Sequence, residues 1–150
     1  MRIVLDASVL GDLLNPTSTS PQVVTVREWG LEMLGRGEEF VLPGVADHEV
    51  RRKLLHLGKA KSIRRLDDAR RDWSFLPVTQ GDVDLASELW ADARRRGRPA
   101  APDAALDGDM LLCAQTRRLS ERVGGDVVVA TTNVKHLEDF VDARLPSSIP

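Results

Sequence analysis

The sequence holds a single cysteine, Cys113, so no disulfide framework can form within one chain. That cysteine lies in the apolar run Met110, Leu111, Leu112, Cys113, Ala114, where it reads as a small buried hydrophobe rather than a redox centre. Long hydrophobic runs are missing as well. The opening residues Met1, Arg2, Ile3, Val4, Leu5, Asp6 carry charge almost at once, which argues against a signal peptide or a membrane span and makes the cytoplasm the expected location. There is no internal repeat and no low-complexity segment. Nor do histidine and cysteine occur together at zinc-type spacing, which disfavours a zinc site.

What is present is enough apolar material for one core: 42% of the 150 residues are hydrophobic, and a single domain spanning residues 1–150 is expected. The net charge of −2 hides an uneven distribution. Residues 51–71 carry nine lysines and arginines (Arg51, Arg52, Lys53, Lys59, Lys61, Arg64, Arg65, Arg70, Arg71) against two acids, Asp67 and Asp68. A flank of this kind suits the backbone of a nucleic acid, and it equally suits solvated helix faces. A second cluster, Arg94 to Arg96 with Arg98, closes a helix whose dipole it also complements.

Short apolar strands alternate with helix-length amphipathic segments. Ile3, Val4 and Leu5 form the first strand, ending abruptly at Asp6. Val23, Val26, Leu31 and Leu34 give the apolar face of a helix that stops at Gly35 to Gly37, and Phe40, Val41 and Leu42 form the next strand. Val45, Val50, Leu54, Leu55 and Leu57 mark a helix stopped by Gly58; a basic helix over 59–73 follows, then a strand over 75–78. Thr79 is a good N-cap for a helix bearing Val83, Leu85, Ala86, Leu89, Trp90 and Ala93. Pro99 and Pro102 punctuate a loop, residues 109–123 read as a helix, and Val127 to Ala130 is the most continuous β-branched run and hence a central strand. The pattern predicts an α/β three-layer sandwich, with a mostly parallel sheet flanked by helices, because each return to a parallel strand needs a crossover.

In such sheets ligands bind outside the carboxyl ends of the strands. The residues there are Asp6; Glu49; Asp107 and Asp109, opening the helix before the last strand; and Thr131, Thr132 and Asn133 after it. Most are oxygen donors, which favours a hard cation, Mg²⁺ or Mn²⁺, and a cation also resolves the repulsion of clustered carboxylates. Local roles compete at each position. Asp107 reads as a helix N-cap or an additional metal ligand, Glu49 as a ligand or a solvated partner of Arg52 or Lys53, and Asn133 as a site residue or a turn former. His136 reads as a packing or capping residue, and His48 and His56 as exposed.

At this point the residues resemble those of PIN-domain ribonucleases, particularly the VapC-type toxins of bacterial toxin–antitoxin pairs. The resemblance runs over nearly the whole chain. It is carried by the opening segment 3–10 with Asp6, the segment 48–52 with Glu49, the segment 109–114 headed by Asp109, and the segment 129–140 with Asn133. It implies a PIN-like fold with Asp6, Glu49 and Asp109 as an acidic triad around Mg²⁺ or Mn²⁺ and Asn133 at a fourth position filled by Asp or Asn. It also implies an RNA substrate, a small antitoxin protein as partner, and a homodimer.

The chemistry expected is in-line hydrolysis of an RNA phosphodiester, with Ser8 and Thr131 holding carboxylates by hydrogen bonds and Arg51, Arg52, Lys59, Lys61 and Arg64 contacting the backbone. Two rivals remain: a non-catalytic module on the same fold that binds RNA or protein, and a phosphotransfer domain with Asp6 as nucleophile. The second is disfavoured, since no acid follows two residues after Asp6 and no lysine suitably follows a later strand.

Overall fold

A computed structural model describes residues 1–97 and 103–150. Five strands, β1 (Arg2–Leu5), β2 (Glu39–Pro43), β3 (Ser74–Leu76), β4 (Val127–Ala130) and β5 (Ala143–Arg144), form one sheet in the order β3-β2-β1-β4-β5. Every pairing is parallel; Ile3 stands between Phe40 and Val128, and Val4 between Val41 and Val129. Seven helices among the described residues make the crossovers: α1 (Ala7–Leu13), α2 (Pro21–Gly35), α3 (Gly44–His56), α4 (Ala60–Asp72), α5 (Gln80–Arg95), α6 (Asp103–Val123) and α7 (Val134–Leu137).

The two-residue period of the strands divides the core. Ile3, Leu5, Phe40, Leu42, Val128 and Ala130 face the layer of α1 to α4, where Leu10, Trp29, Met33 and Leu66 complete a cluster. Val4, Val41 and Val129 face the other layer, packing against Leu89, Met110, Cys113 and Leu137 of α5, α6 and α7. Both faces of the central strands are covered, as the unbroken β-branched run of β4 requires. The α/β three-layer arrangement read from the sequence is the one observed.

Three local readings are corrected. Leu31 is 73% exposed and Leu34 also lies outside, whereas Trp29 and Met33 take the inner face of α2 with Val23 and Val26. Trp29 stacks on Phe40, with ring centroids 5.7 Å apart, and this larger contact outweighs what a leucine could bury there. The helix before β4 starts at Asp103, six residues before the expected position, since Ala104 to Leu106 are strong helix formers and Gly108 is carried inside the helix. Finally, β5 adds a strand of two residues that no hydrophobic run announces.

Thr79 does cap α5: its hydroxyl accepts from the backbone of Asp82, whose carboxylate accepts from the Thr79 N–H in return. Pro99 and Pro102 lie outside the described residues. Among the described residues no helix is long and apolar enough to cross a membrane.

Candidate metal centre at the carboxyl edge of the sheet

From β1 the chain passes to β2 on one side, and from β4 it passes to β5 on the other, so the carboxyl ends of β1 and β4 flank the switch point of the sheet. Diverging connections leave a crevice there. Asp6 stands on its rim. Its backbone N–H still bonds Ala130 of β4 at 3.1 Å, and its side chain caps α1 by accepting from the Ala7 N–H at 2.6 Å.

The other carboxylate oxygen of Asp6 accepts from two hydroxyls, Thr131 at 2.7 Å and Ser8 at 3.0 Å. Thr131 is fully buried, and its oxygen accepts in turn from the Asn133 N–H at 2.9 Å. The Ser8 hydroxyl likewise accepts from Thr132 N–H at 3.4 Å. The turn after β4 is thereby clasped to the turn after β1, and Asp6 is fixed in one orientation.

Glu49 reaches the same edge from α3 and Asp109 from the second turn of α6. Burial raises the Glu49 carboxyl above its ordinary value, and the charge of Asp6 raises it further, while Arg52, Lys53 and His48 pull it back. Burial also pushes Asp109 up to about 6; Asp6 and Glu49 add to this, and His136 opposes it. The His136 Nδ1 lies 3.3 Å from Asp109 Oδ2. Three carboxylates therefore feel one another in a half-buried setting, and two of them hold their protons more tightly than in water.

Such a donor set fits a hard divalent cation, whose charge would relieve the repulsion. Asp6, Glu49 and Asp109 are the residues that could hold it. As they stand, no group of three or more His, Cys, Asp or Glu among the described residues is drawn tightly enough to form a ready-made cation site. Burial is the main cause of the raised values of Glu49 and Asp109, and the neighbouring carboxylates add to it.

The remaining candidates do not join this trio. Asp107 lies inside α6 and not at its start, so it is no N-cap, and two residues turn it by about 200° from Asp109. It lines a cleft between α5 and α6 with Val83, Trp90 and Met110, away from the acidic trio. The Asn133 side chain is exposed, and although the residue stands at the N-cap of α7 it makes no side-chain capping bond. Arg51 is engaged by Asp47 at 2.9 Å and by Asp67 at 2.8 Å, so its guanidinium neutralises buried Asp47 between α3 and α4. Arg52, Lys59, Lys61 and Arg64 are exposed, as are His48 and His56.

Three contributors were not foreseen. His136 was read as packing or capping, yet its ring touches Asp109. At Gly108 an added Cβ would collide with Glu49 Oε1, so the bare backbone of α6 gives Glu49 its seat. Buried Gln115 ties three elements together, accepting from Val45 N–H at 3.3 Å and donating to Leu76 carbonyl at 2.7 Å. A polar residue within the apolar face of a strong helix is the signal that could have found it.

Comparison with known proteins adds a family. A family model described as PIN domain matches residues 3–131. No curated protein matches the chain. Among solved structures, VapBC-1 from nontypeable Haemophilus influenzae is similar with a TM-score of 0.69 at 14% identity, covering 99% of this chain and 100% of that one. VapBC2 from Rickettsia felis, bound to a DNA fragment from their promoter, has a TM-score of 0.66 at 14% identity, with 97% of each chain covered. FitAcB from Neisseria gonorrhoeae has a TM-score of 0.67 at 18% identity, covering 98% of this chain and 99% of that one. At such identities the likeness to these structures is one of fold.

Proposed function

Because the chain belongs to the PIN domain family, we propose that it is a metal-dependent endoribonuclease, acting as a single domain, in which Asp6, Glu49 and Asp109 hold Mg²⁺ or Mn²⁺. The observation that carries this reading is the meeting of three mutually repelling carboxylates at the β1/β4 crevice. A divalent cation bound there supplies neutralisation of charge on the phosphodiester and a water acidified for in-line attack.

The chain's own residues do the rest. Ser8 and Thr131 keep Asp6 from swinging out of place, and Gly108 lets Glu49 lie against α6. Asn133, exposed on the turn after β4, is a neutral fourth member on the same edge. Arg52, Lys59, Lys61 and Arg64 hold the RNA backbone, while Arg51 contributes by keeping α3 against α4.

The biological setting proposed is a type II toxin in the cytoplasm, homodimeric and silenced by a small antitoxin. The resemblance to VapC-type toxins and the fold shared with VapBC-1, VapBC2 and FitAcB support it.

The test is cleavage of a fluorophore–quencher RNA. Activity is expected with Mg²⁺ or Mn²⁺ and absent in excess chelator, and Asp6→Asn or Glu49→Gln should lower it about a hundredfold or more. Full activity in Asp6→Asn, or in chelator, would refute the assignment.

A further inference from the structure

The segment after β4 meets the acidic cluster in a way the order of residues does not announce. Asn133 occupies the position at which a fourth ligand was expected, yet its side chain is exposed. What the residue contributes is backbone: its N–H bonds Thr131 Oγ1 at 2.9 Å, and its carbonyl accepts from His136 N–H at 3.0 Å. That second bond closes the turn that opens α7 and carries the His136 ring to Asp109 Oδ2 at 3.3 Å. Leu137, the next residue, is buried in the core beside Met110 and Cys113, so the turn has an anchor.

We propose that His136, and not Asn133, is the residue through which this turn acts on the acidic cluster: its imidazole holds Asp109 in one rotamer and so sets the affinity of the site for a divalent cation. The inference rests on the reading of the site as a cation site given above.

The reasoning is geometric. With Asp109 ionised its oxygens only accept, so in that state Nδ1 carries the hydrogen and donates it to Oδ2. An aspartate on a helix can turn about its χ1 and χ2 bonds, and the charges of Asp6 and Glu49 favour turning it away from them. A bond to Oδ2 opposes that rotation and leaves Oδ1 as the oxygen able to serve the cluster. Ser8 and Thr131 do the same for Asp6 with two hydroxyls. Asp109 has only the imidazole in the corresponding place among the described residues. His136 is therefore a positioning residue. It links the element after β4 to α6, as Thr131 links it to the element after β1.

Isothermal titration calorimetry of the cation-free protein with Mn²⁺ tests this without reference to cleavage. His136→Ala should weaken Mn²⁺ binding about tenfold or more, the range expected when a hydrogen-bond partner of a ligating group is lost. His136→Asn, whose amide N–H can take the place of Nδ1–H, should recover binding to within about threefold of the unsubstituted protein. Asn133→Ala should cost less than His136→Ala. Thermal unfolding of each variant without cation reports whether it is folded, and if His136→Ala is not, the comparison of His136→Asn with Asn133→Ala carries the test.

Equal affinity in His136→Ala and the unsubstituted protein would overturn the proposal. So would an Asn variant as weak as the Ala variant, since the loss would then follow ring volume and not the hydrogen bond, and so would a larger loss in Asn133→Ala. Absence of Mn²⁺ binding by the unsubstituted protein would overturn this inference and the cation-site reading together. Binding that is indifferent to His136 overturns this inference alone.

Discussion

Replacing Asp109 by asparagine should make the cation-free protein more stable while disabling its site. Asp109 is 25% exposed, and its carboxyl is moved from an ordinary value of 3.8 to about 6, chiefly by burial, with Asp6 and Glu49 adding to it. The sign follows from proton counting. Below pH 3.8 both folded and unfolded chains hold the proton, and no stability difference arises. Between 3.8 and about 6 the folded chain holds it and the unfolded chain does not, so stability falls as pH rises, and above about 6 the full cost is present. At about 1.4 kcal/mol per tenfold change in proton affinity this amounts to about 3 kcal/mol. The site opens to water, and half of that, about 1.5 kcal/mol, is the reasonable expectation after solvent screening. For a chain of this length the corresponding rise in Tm is about 3–6 °C. Thermal or urea unfolding in chelator should show Asp109→Asn ahead of the unsubstituted protein at pH 8 and nearly level with it at pH 4. Saturating Mg²⁺ should narrow or reverse the gap at pH 8 by stabilising only the protein that binds it. A variant no more stable at pH 8, or stabilised equally at both pH values, would refute the argument that the acidic cluster is under electrostatic strain.

Four further outcomes follow from single residues. Thr131→Val removes a buried hydroxyl from Asp6 and leaves the Asn133 N–H without its acceptor, so urea unfolding should show a loss of about 1–3 kcal/mol, with RNA cleavage reduced about tenfold or more. Gly108→Ala gains up to about 1 kcal/mol of helix propensity, but its Cβ displaces Glu49; calorimetry should show weakened Mn²⁺ binding in a protein whose Tm is little changed. Arg51→Ala leaves buried Asp47, among the described residues, with only the longer 4.0 Å contact to Arg70, which should cost about 3 kcal/mol in urea unfolding, whereas Lys61→Ala should leave stability unchanged and lower the salt dependence of RNA binding by about one counterion.

How far the fold could be read depended on whether its cause was local. Strands β1, β2 and β4 were legible because both faces are buried and apolar residues run unbroken. β5 was not: Ala143 and Arg144 form a strand only because Val129 and Ala130 offer them an edge. The face of α2 was misjudged at Leu31 and Leu34, since helical spacing allows several apolar stripes and the choice is made by the Trp29–Phe40 contact with the sheet. In the candidate site, Asp6 and Glu49 could be named because strand ends are visible in sequence, whereas Asp109 stands in the second turn of α6 and not at the helix start where the sequence reading puts it. The separation of Asp109 from Asp107 follows from helical phase once the helix is known to begin at Asp103. His136 was beyond reach, because nothing local distinguishes a surface histidine from one whose neighbour comes from an element 27 residues away. Likewise Arg51 counted as one cation in a basic run until Asp47 and Asp67 appeared beside it.

The clasp between Asp6 and Thr131 joins residues 125 apart in the chain. Strand β4 takes its place beside β1 only after β2 and β3 have been laid down on the opposite side, so the pairing that closes the crevice is among the last the polypeptide can make. During synthesis Asp6 has its first hydroxyl partner, Ser8, at once, and waits for most of the chain before the second, Thr131, exists. A fragment ending before residue 131 contains Asp6, Glu49 and Asp109 and the Ser8 bond to Asp6, but not the shorter bond from Thr131. The order of the strands thus acts as a delay on the completion of the acidic cluster.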